Sequence, residues 1–367
     1  MRNKVVTVFF CLLLAGTLSL SMALPDKYYS ESEKRLLTQR EELKIEEYGS
    51  GKFQSTLDRY LTDQFPGRDG WISLKTLADL IGGKREVNGV FFARDNYLIQ
   101  SFDAINASRF ISNTAQLKKL SRQVADMGLP CTVMPIPTAV QILANKLPVF
   151  ATHTDQLQVI AYLKEQGLDV VDVTQTLADH SGEYIYYRTD HHYTSLGAYY
   201  CYAAYRESRG LPVPALVDYQ TEVLSTNFLG TSYNKVNYPF AKADTIMAYY
   251  KNANHAVSYN DGEKKSDSIY ERSYLEGRDQ YGVFLNSNQA QTVIQGGGQA
   301  GKLLLVKDSF GNSLAQFPAE DYAEVHMVDL RFFRDSLTDY IRDNGITEVL
   351  VVYGIPNLTS DVALSIQ

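Results

Sequence analysis

The segment RTDHHYTSLGAY, residues 188–199, sets an acid directly before two histidines in a chain that has only six histidines. If this segment is extended, side chains two positions apart point the same way, so Asp190 and His192 share one face. Asp190 can then accept a hydrogen bond from one imidazole nitrogen and leave the other free to take a proton. Thr194 or Ser195 would cap the following helix, whose positive end disfavours a charged imidazole. The segment therefore predicts an oriented histidine base.

Two other interpretations of this segment stay open. The histidines can be structural residues before a helix cap, or they can bind a metal, because imidazole and carboxylate are common metal ligands. An Asp-His-His triplet also occurs in metal-dependent phosphoesterases, which need further carboxylates in short acidic motifs on the same sheet edge. The nearest candidates are Asp169 and Asp172, and no third motif matches. The sequence therefore favours a site without a metal or another cofactor.

A second stretch, LLLVKDSFGNSLAQF, carries a serine between a predicted strand and a predicted helix. The strand ends at Val306, Ser309 lies on the turn, and Gly311 allows a tight path. Such a serine presents its hydroxyl at the carboxyl edge of a sheet, beside backbone N–H groups that stabilise an oxyanion. This is the geometry of a nucleophile elbow. The alternative is that Asp308 or Ser309 only caps the helix.

Two polar residues follow other predicted strands. Asn357, in YGIPNLTS, comes after the last strand and is expected on the same sheet edge as Ser309, where its amide could donate to an oxyanion. Arg331, in VDLRFF, could meet a negatively charged group of a substrate or brace the fold, and the sequence favours bracing.

The elements around these residues alternate between strand and helix, which indicates an α/β fold with a parallel sheet flanked by helices. Strands are predicted at 131–137, 168–173, 302–306, 324–330 and 348–354, and helices near 108–126, 152–166 and 194–208.

Two regions depart from this alternation. Residues 30–82 predict a polar helical arm interrupted at Phe65-Pro66-Gly67, and 89–100 predicts a hairpin that turns at Asp95-Asn96. Residues 212–300 are rich in Tyr, Asn, Ser and Asp, and short alternating stretches such as QYGVFLNS and AQTVIQ predict antiparallel strands joined by long loops. We call residues 212–300 the insertion.

The N-terminus carries an export signal: Arg2 and Lys4 precede an apolar run from Val5 to about Leu24. A run of this length can also span a bilayer, so a cleaved signal peptide and a retained anchor both stay open, and the length favours the anchor. The rest of the chain is then extracytoplasmic, either secreted or tethered to the outer face of the cell membrane.

The composition limits the partners and the internal bonds. The net charge is −7 and no basic stripe is present, which argues against a nucleic-acid partner. Cys131 and Cys201 lie in apolar contexts and are expected to be separate buried thiols. The predicted organisation is therefore a signal or anchor at 1–24, the helical arm and hairpin at 25–104, and an α/β domain at 105–367 that contains the insertion.

Five blocks of the sequence, taken together, resemble the DHHW family of exported bacterial proteins. The Asp-His-His-Trp motif of that family corresponds here to Asp190, His191, His192 and Tyr193. The resemblance covers most of the chain, and Tyr193 departs from the family tryptophan. Both residues are aromatic, so the proton chemistry is not affected, although the wall of the site could differ. The matching blocks follow in the family's order: YLTDQFPGRDGWISLK, NGVFFARDNYLI, PIPTAVQILANKLP, RTDHHYTSLGAY and LLVKDSFGNS.

This family is similar to the SGNH-hydrolase-like domains of the alginate O-acetylation proteins, in which an Asp-x-His pair precedes the serine. The resemblance implies a triad of Asp190, His192 and Ser309 in an SGNH-hydrolase-like fold. It implies an O-acetyltransferase or acetylesterase that acts on a cell-surface or secreted polysaccharide through an acetyl-serine, with a membrane-bound O-acyltransferase as the acetyl supplier. Aromatic side chains of the insertion are expected to stack on sugar faces. The alternative is a non-catalytic protein that binds polysaccharide or scaffolds the acyltransferase.

Overall fold

The computed structural model describes residues 2–30, 35–252, 254–361 and 364. The chain divides into two compact units. The first unit comprises Met1–Asn88 and Tyr233–Phe240, and the second comprises Gly89–Ser232 and Ala241–Gln367.

The first unit contains the predicted helical arm. Its elements are α1 (Arg2–Ala23), α2 (Lys52–Asp63), α3 (Arg68–Ile81), β1 (Tyr29–Ser30), β2 (Arg35–Leu36) and β3 (Glu86–Val87). Helices α2 and α3 are separated at the predicted Phe65-Pro66-Gly67 break, where Gly67 has a left-handed φ of 67°. Within α1, Lys4–Ser21 has the length and composition of a membrane span, and a signal sequence meets the same criteria.

The second unit begins with the predicted hairpin. Its strands are β4 (Val90–Phe92), β5 (Leu98–Gln100), β6 (Cys131–Ile136), β7 (Gln220–Phe228), β8 (Asp244–Tyr250), β9 (Val257–Tyr259), β10 (Lys264–Ser266), β11 (Gln291–Gln295), β12 (Lys302–Lys307), β13 (Glu324–Val328) and β14 (Glu348–Gly354). The remaining helices of the chain are α4 (Ala107–Asp126), α5 (Ala139–Ile142), α6 (Leu157–Glu165), α7 (Thr174–Asp179), α8 (Ser195–Ser208), α9 (Thr231–Val236), α10 (Phe310–Leu314), α11 (Pro318–Asp321), α12 (Leu337–Asp343) and α13 (Ile355–Ser360).

A seven-stranded mixed sheet forms the core of the second unit, in the order β10-β9-β11-β13-β12-β14-β6. The neighbours β13, β12, β14 and β6 are parallel, whereas β11, β9 and β10 join antiparallel. The parallel strands are mostly apolar and almost entirely buried, as expected for strands covered on both faces. The predicted α/β sheet is therefore confirmed, and the insertion supplies three strands of the same sheet.

Two predicted strands were wrong. In 168–173 only Val170 pairs, in a single parallel bridge to Val133, because the chain turns into α7 where Asp172 accepts a hydrogen bond from the N–H of Thr174. In 280–287, residues 280–283 form a short 3₁₀ turn and residues 285–287 have left-handed φ, so this stretch adds no strand to the sheet.

Several local predictions were right. The hairpin of β4 and β5 turns through Asp95 and Asn96, whose φ angles are 59° and 62°. Cys131 and Cys201 are both buried and unpaired, and burial raises the pKa of the Cys131 thiol to about 12. The predicted ends of the signal or anchor at 24, of the arm and hairpin at 104, and of the insertion at 212 and 300 stay predictions.

Gly230, at the end of the loop after β7, is packed directly against Asp190. A Cβ atom at Gly230 would lie 2.3 Å from the Asp190 Cβ and 2.4 Å from Oδ2. The Gly230 N–H also donates to the Thr189 hydroxyl at 3.1 Å. Because these neighbours are buried, the packing leaves no room for a side chain at residue 230.

We expect Gly230→Ala to lower the free energy of unfolding by about 1–3 kcal/mol, because the added methyl forces Asp190 out of its place. Urea-induced unfolding measures this change. Gly182→Ala is the matched control, since no atom lies within 4 Å of a Cβ built at Gly182. Its effect should stay below about 1 kcal/mol in either direction. Equal stabilities of the two variants would contradict the packing described here.

Candidate active site

The structure brings Asp190, His192 and Ser309 into one chain of hydrogen bonds. His192 Nε2 lies 2.7 Å from Ser309 Oγ, although 117 positions separate the two residues. His192 Nδ1 lies 2.5 Å from Asp190 Oδ1. Asp190 and His192 are buried, and Ser309 is half-buried. In this arrangement an imidazole can take the hydroxyl proton while the carboxylate orients the ring.

The segment around Asp190 is a tight turn, and the extended conformation assumed from the sequence was wrong. Asp190 Oδ1 accepts hydrogen bonds from both the backbone N–H of His192, at 2.9 Å, and its Nδ1. A bridge between Tyr186 and Tyr193 closes the turn. Asp190 and His192 still meet, because an aspartate in a turn readily bonds to the residue two positions on. Thr194 caps α8 by accepting from the Gly197 N–H.

The second carboxylate oxygen of Asp190 is held by Thr231. Oδ2 accepts hydrogen bonds from the Thr231 N–H at 2.8 Å and from its hydroxyl at 3.0 Å. Burial opposes ionisation of this carboxyl, but His192, His191 and the hydrogen bonds hold the pKa of Asp190 well below its ordinary value. Asp190 is therefore a buried anion.

Asp244, the first residue of β8, holds the residues just before Asp190. It accepts hydrogen bonds from the N–H groups of Arg188 and Thr189, each at 2.8 Å, from the Thr189 hydroxyl at 2.5 Å and from the Tyr184 hydroxyl. Burial raises the pKa of Asp244 despite these donors. The insertion thus fixes both sides of the turn, and the sequence carries no local signal that pairs Asp244 with residues 188 and 189.

The turn that carries Ser309, residues 308–310 and called here the serine turn, follows β12 at the carboxyl edge of the parallel strands. Asp308 Oδ1 accepts from the Phe310 N–H at 2.9 Å, and Oδ2 accepts from the Gly354 N–H at 2.9 Å and from Asn357 Nδ2 at 2.8 Å. Burial raises the pKa of Asp308. This side chain therefore ties the turn to the end of β14. Among the described residues, the backbone N–H of Ser309 has no hydrogen-bond acceptor.

Asn357 lies where the sequence analysis expected it, on the sheet edge that carries Ser309. Besides bonding to Asp308, it lines a cavity of about 170 Å³ together with His191, Asp190 and Phe310. Asn357 therefore borders the same space as Asp190 and His191.

The other three predicted site residues make structural contacts. The Gly311 N–H donates to the Asp308 carbonyl at 3.1 Å, so it is not open to a ligand, and a Cβ there would lie 2.6 Å from the Lys307 Cβ. Arg331 braces the fold through two hydrogen bonds to Asp329, at 2.8 and 2.6 Å. Tyr193 has no exposed surface and donates to the Phe310 carbonyl at 2.7 Å, so it forms no wall of an open site.

Asp190, His191 and His192 are also the one group of three or more such residues, within the described part of the chain, whose metal-ligating atoms lie within 4.8 Å of one another. The donor set does not fit a metal. Both ring nitrogens of His192 are engaged by Asp190 and Ser309. Backbone N–H groups of His192 and Thr231 point at the two carboxylate oxygens, where a cation would have to bind.

Several solved structures are similar to this chain. A DHHW family protein from Eubacterium siraeum is 26% identical, with a TM-score of 0.65 over 76% of this chain and 94% of that one. PatB1 of Bacillus cereus, solved with a sulfonyl adduct, is 18% identical, with a TM-score of 0.63 over 76% and 98%. The O-acetyltransferase domain of AlgJ from Pseudomonas putida is 14% identical, with a TM-score of 0.49 over 74% and 93%. No curated protein matches the chain.

The family model that describes DHHW proteins matches residues 92–328, which is more than half of the chain. The matched range contains the Asp190–Tyr193 motif, Ser309 and the insertion. The second unit has the SGNH-like α/β fold that the resemblance implied. The chain therefore belongs to the DHHW family.

Proposed function

We propose that this protein is an extracytoplasmic O-acetyltransferase or acetylesterase that acts on a cell-surface or secreted polysaccharide through Ser309, His192 and Asp190. The observation that carries the proposal is the 2.7 Å separation of Ser309 Oγ from His192 Nε2, on a ring aligned by Asp190. Membership of the DHHW family supports it. PatB1, which shares the fold, was solved with a sulfonyl adduct, and sulfonyl reagents modify activated serines.

In the first half-reaction, Ser309 Oγ forms a bond to the acetyl carbonyl carbon while its proton passes to His192 Nε2. Asp190 stays ionised and stabilises the imidazolium. The negative charge on the carbonyl oxygen is met by the Ser309 N–H and by the second N–H of the Asn357 amide, whose first N–H donates to Asp308. The bond to the donor oxygen then breaks, that oxygen takes the proton from His192, and acetyl-serine is left.

In the second half-reaction, an acceptor hydroxyl gives its proton to His192 and attacks the acetyl-serine. Ser309 Oγ leaves and regains the proton from His192 Nε2. A sugar hydroxyl as acceptor makes the protein a transferase, and water as acceptor makes it an esterase.

The N-terminal helix α1 supports the extracytoplasmic part of the proposal. Its Lys4–Ser21 stretch suits either a signal sequence or an anchor in the cell membrane. The proposed partner is a membrane-bound O-acyltransferase, which supplies acetyl groups from the cytoplasmic side to a polysaccharide outside.

We expect Ser309→Ala to lower the turnover of 4-nitrophenyl acetate roughly a thousandfold or more, because the attacking oxygen is lost. A sulfonyl fluoride should add one adduct to the wild type, detected by intact mass spectrometry, and none to this variant. Ser108→Ala, at an exposed serine, is the control and should behave as the wild type. If the wild type resists labelling and turns over no ester, yet binds the polysaccharide, the alternative of a non-catalytic binding protein would be favoured.

We expect Asp190→Asn to lower kcat by roughly 10³–10⁴-fold, because an amide at residue 190 favours the wrong imidazole tautomer of His192. Steady-state turnover of the same ester measures the loss. Asp172→Asn is the matched control, since Asp172 is paired with Lys164 away from the site. A loss of less than tenfold in Asp190→Asn would contradict the proposal that the carboxylate aligns His192.

Treatment with EDTA followed by dialysis should leave ester turnover unchanged, because no step of the proposed mechanism uses a metal. Elemental analysis of the purified protein should find less than one equivalent of zinc or manganese. Loss of turnover on chelation, restored by either metal, or cleavage of bis(4-nitrophenyl) phosphate, would favour the metal-dependent phosphoesterase over the triad.

A further inference from the structure

Tyr281, from the insertion, contacts both the histidine and the serine of the candidate site. Its ring is stacked on the His192 ring, with centroids 4.0 Å apart and planes only 5° from parallel. Its hydroxyl donates to the backbone carbonyl of Ser309 at 3.0 Å and lies 3.0 Å from Ser313 Oγ. One side chain thus joins the base to the backbone that carries the nucleophile.

The two hydrogen bonds of His192 do not fix the tilt of its ring. Both bonds, to Asp190 and to Ser309, lie at ring nitrogens and act near the ring plane. Displacement out of that plane is resisted instead by the rings packed around it. Tyr281 is the parallel one, whereas His191 is tilted by 38° and Phe310 by 61°. Tyr281 therefore makes the contact that best defines the plane of the base.

The segment that carries Tyr281 is itself held in a strained conformation. Leu285, Asn286 and Ser287 have φ angles of 57°, 56° and 65°, a region that non-glycine residues rarely occupy. Such strain persists only where surrounding contacts over-determine the backbone. Here Asn288 Oδ1 accepts from Asn312 Nδ2 at 3.0 Å and from Lys307 Nζ at 3.4 Å. On both sides of the strained residues, the segment therefore bonds to the serine turn or to the residues that flank it.

Tyr281 does not act as an acid or a base. Burial raises the pKa of its hydroxyl well above the ordinary tyrosine value, so the group stays a protonated donor. Only 6% of its surface is exposed, and its ring is stacked on His192. It is therefore not available to stack on a sugar, which was the role expected for aromatic residues of the insertion.

We propose that Tyr281 is a positioning residue: its ring holds the plane of His192, and its hydroxyl holds the Ser309 carbonyl, so that Nε2 and Oγ stay aligned. The effect on rate rests on the proposed function, whereas the effect on His192 rests on the contacts alone. The insertion then contributes to the geometry of proton transfer as well as to any contact with substrate.

The test uses Tyr281→Phe and Tyr281→Leu, with Tyr270→Phe and Tyr270→Leu as matched controls. Tyr270 is also a buried tyrosine of the insertion, and its hydroxyl bonds to the Tyr249 carbonyl and Gln316 Oε1 instead of to Ser309. Tyr281→Phe should lower kcat for 4-nitrophenyl acetate about five- to tenfold, the effect of one hydrogen bond, with KM unchanged. Tyr281→Leu should lower kcat about a hundredfold. Both Tyr270 variants should stay within about twofold of the wild type.

A second measurement does not depend on turnover. The His192 Nδ1 proton, hydrogen-bonded to Asp190, should give a far-downfield NMR signal that is lost in Asp190→Asn. We expect this signal to persist in Tyr281→Phe and in both Tyr270 variants, and to broaden or disappear in Tyr281→Leu. An unchanged signal and kcat in Tyr281→Leu, or equal losses in Tyr270→Leu, would overturn the inference. If the wild type shows no turnover, the proposed function is contradicted. The NMR comparison would still decide whether Tyr281 holds His192.

Discussion

The buried carboxylate of Asp190 is the constraint on which the site depends. A charge taken out of water is costly unless donors and opposite charges compensate it. Here four hydrogen bonds converge on the two oxygens, from His192 and Thr231, and the backbone of Gly230 closes over them. These partners come from two distant parts of the chain. The turn at residues 188–193, which we call the histidine turn, and the insertion must therefore assemble together, because neither alone supplies all the donors that stabilise the buried charge.

A second carboxylate organises the other half of the site in a different way. Asp308 lies between the ends of β12 and β14 and accepts hydrogen bonds from Phe310, Gly354 and Asn357. Parallel strands bring such strand ends to one edge of a sheet, which is where α/β proteins bind their ligands. Asp308 converts this general tendency into a fixed spacing between the serine turn and the Asn357 amide. The site is thus built from two rigid halves joined at the contact between His192 and Ser309.

The sequence predicted the elements whose signal is local. The apolar runs at β6, β12 and β14 identify buried parallel strands, and the order of Asp190, His192 and Ser309 together with the family resemblance identified the side chains that meet. Contacts made across the chain left no such signal, which is why Thr231, Asp244 and Tyr281 were missed. The stretch 168–173 has strand-like composition, but pairing beyond Val170 is lost because the chain turns away from the sheet. The left-handed residues 285–287 contain no glycine to reveal them.

The three strands that the insertion adds to the sheet limit how the protein can vary. β11 lies against β13, so removing it would leave β13 as an unpaired edge beside the strand that leads to Ser309. The same region carries Thr231 and Asp244, which hold the histidine turn. The insertion therefore cannot be replaced as a unit without disturbing the sheet and the histidine turn. A chimaera that swaps the whole region would also have to rebuild the contacts that hold Asp190 against His192.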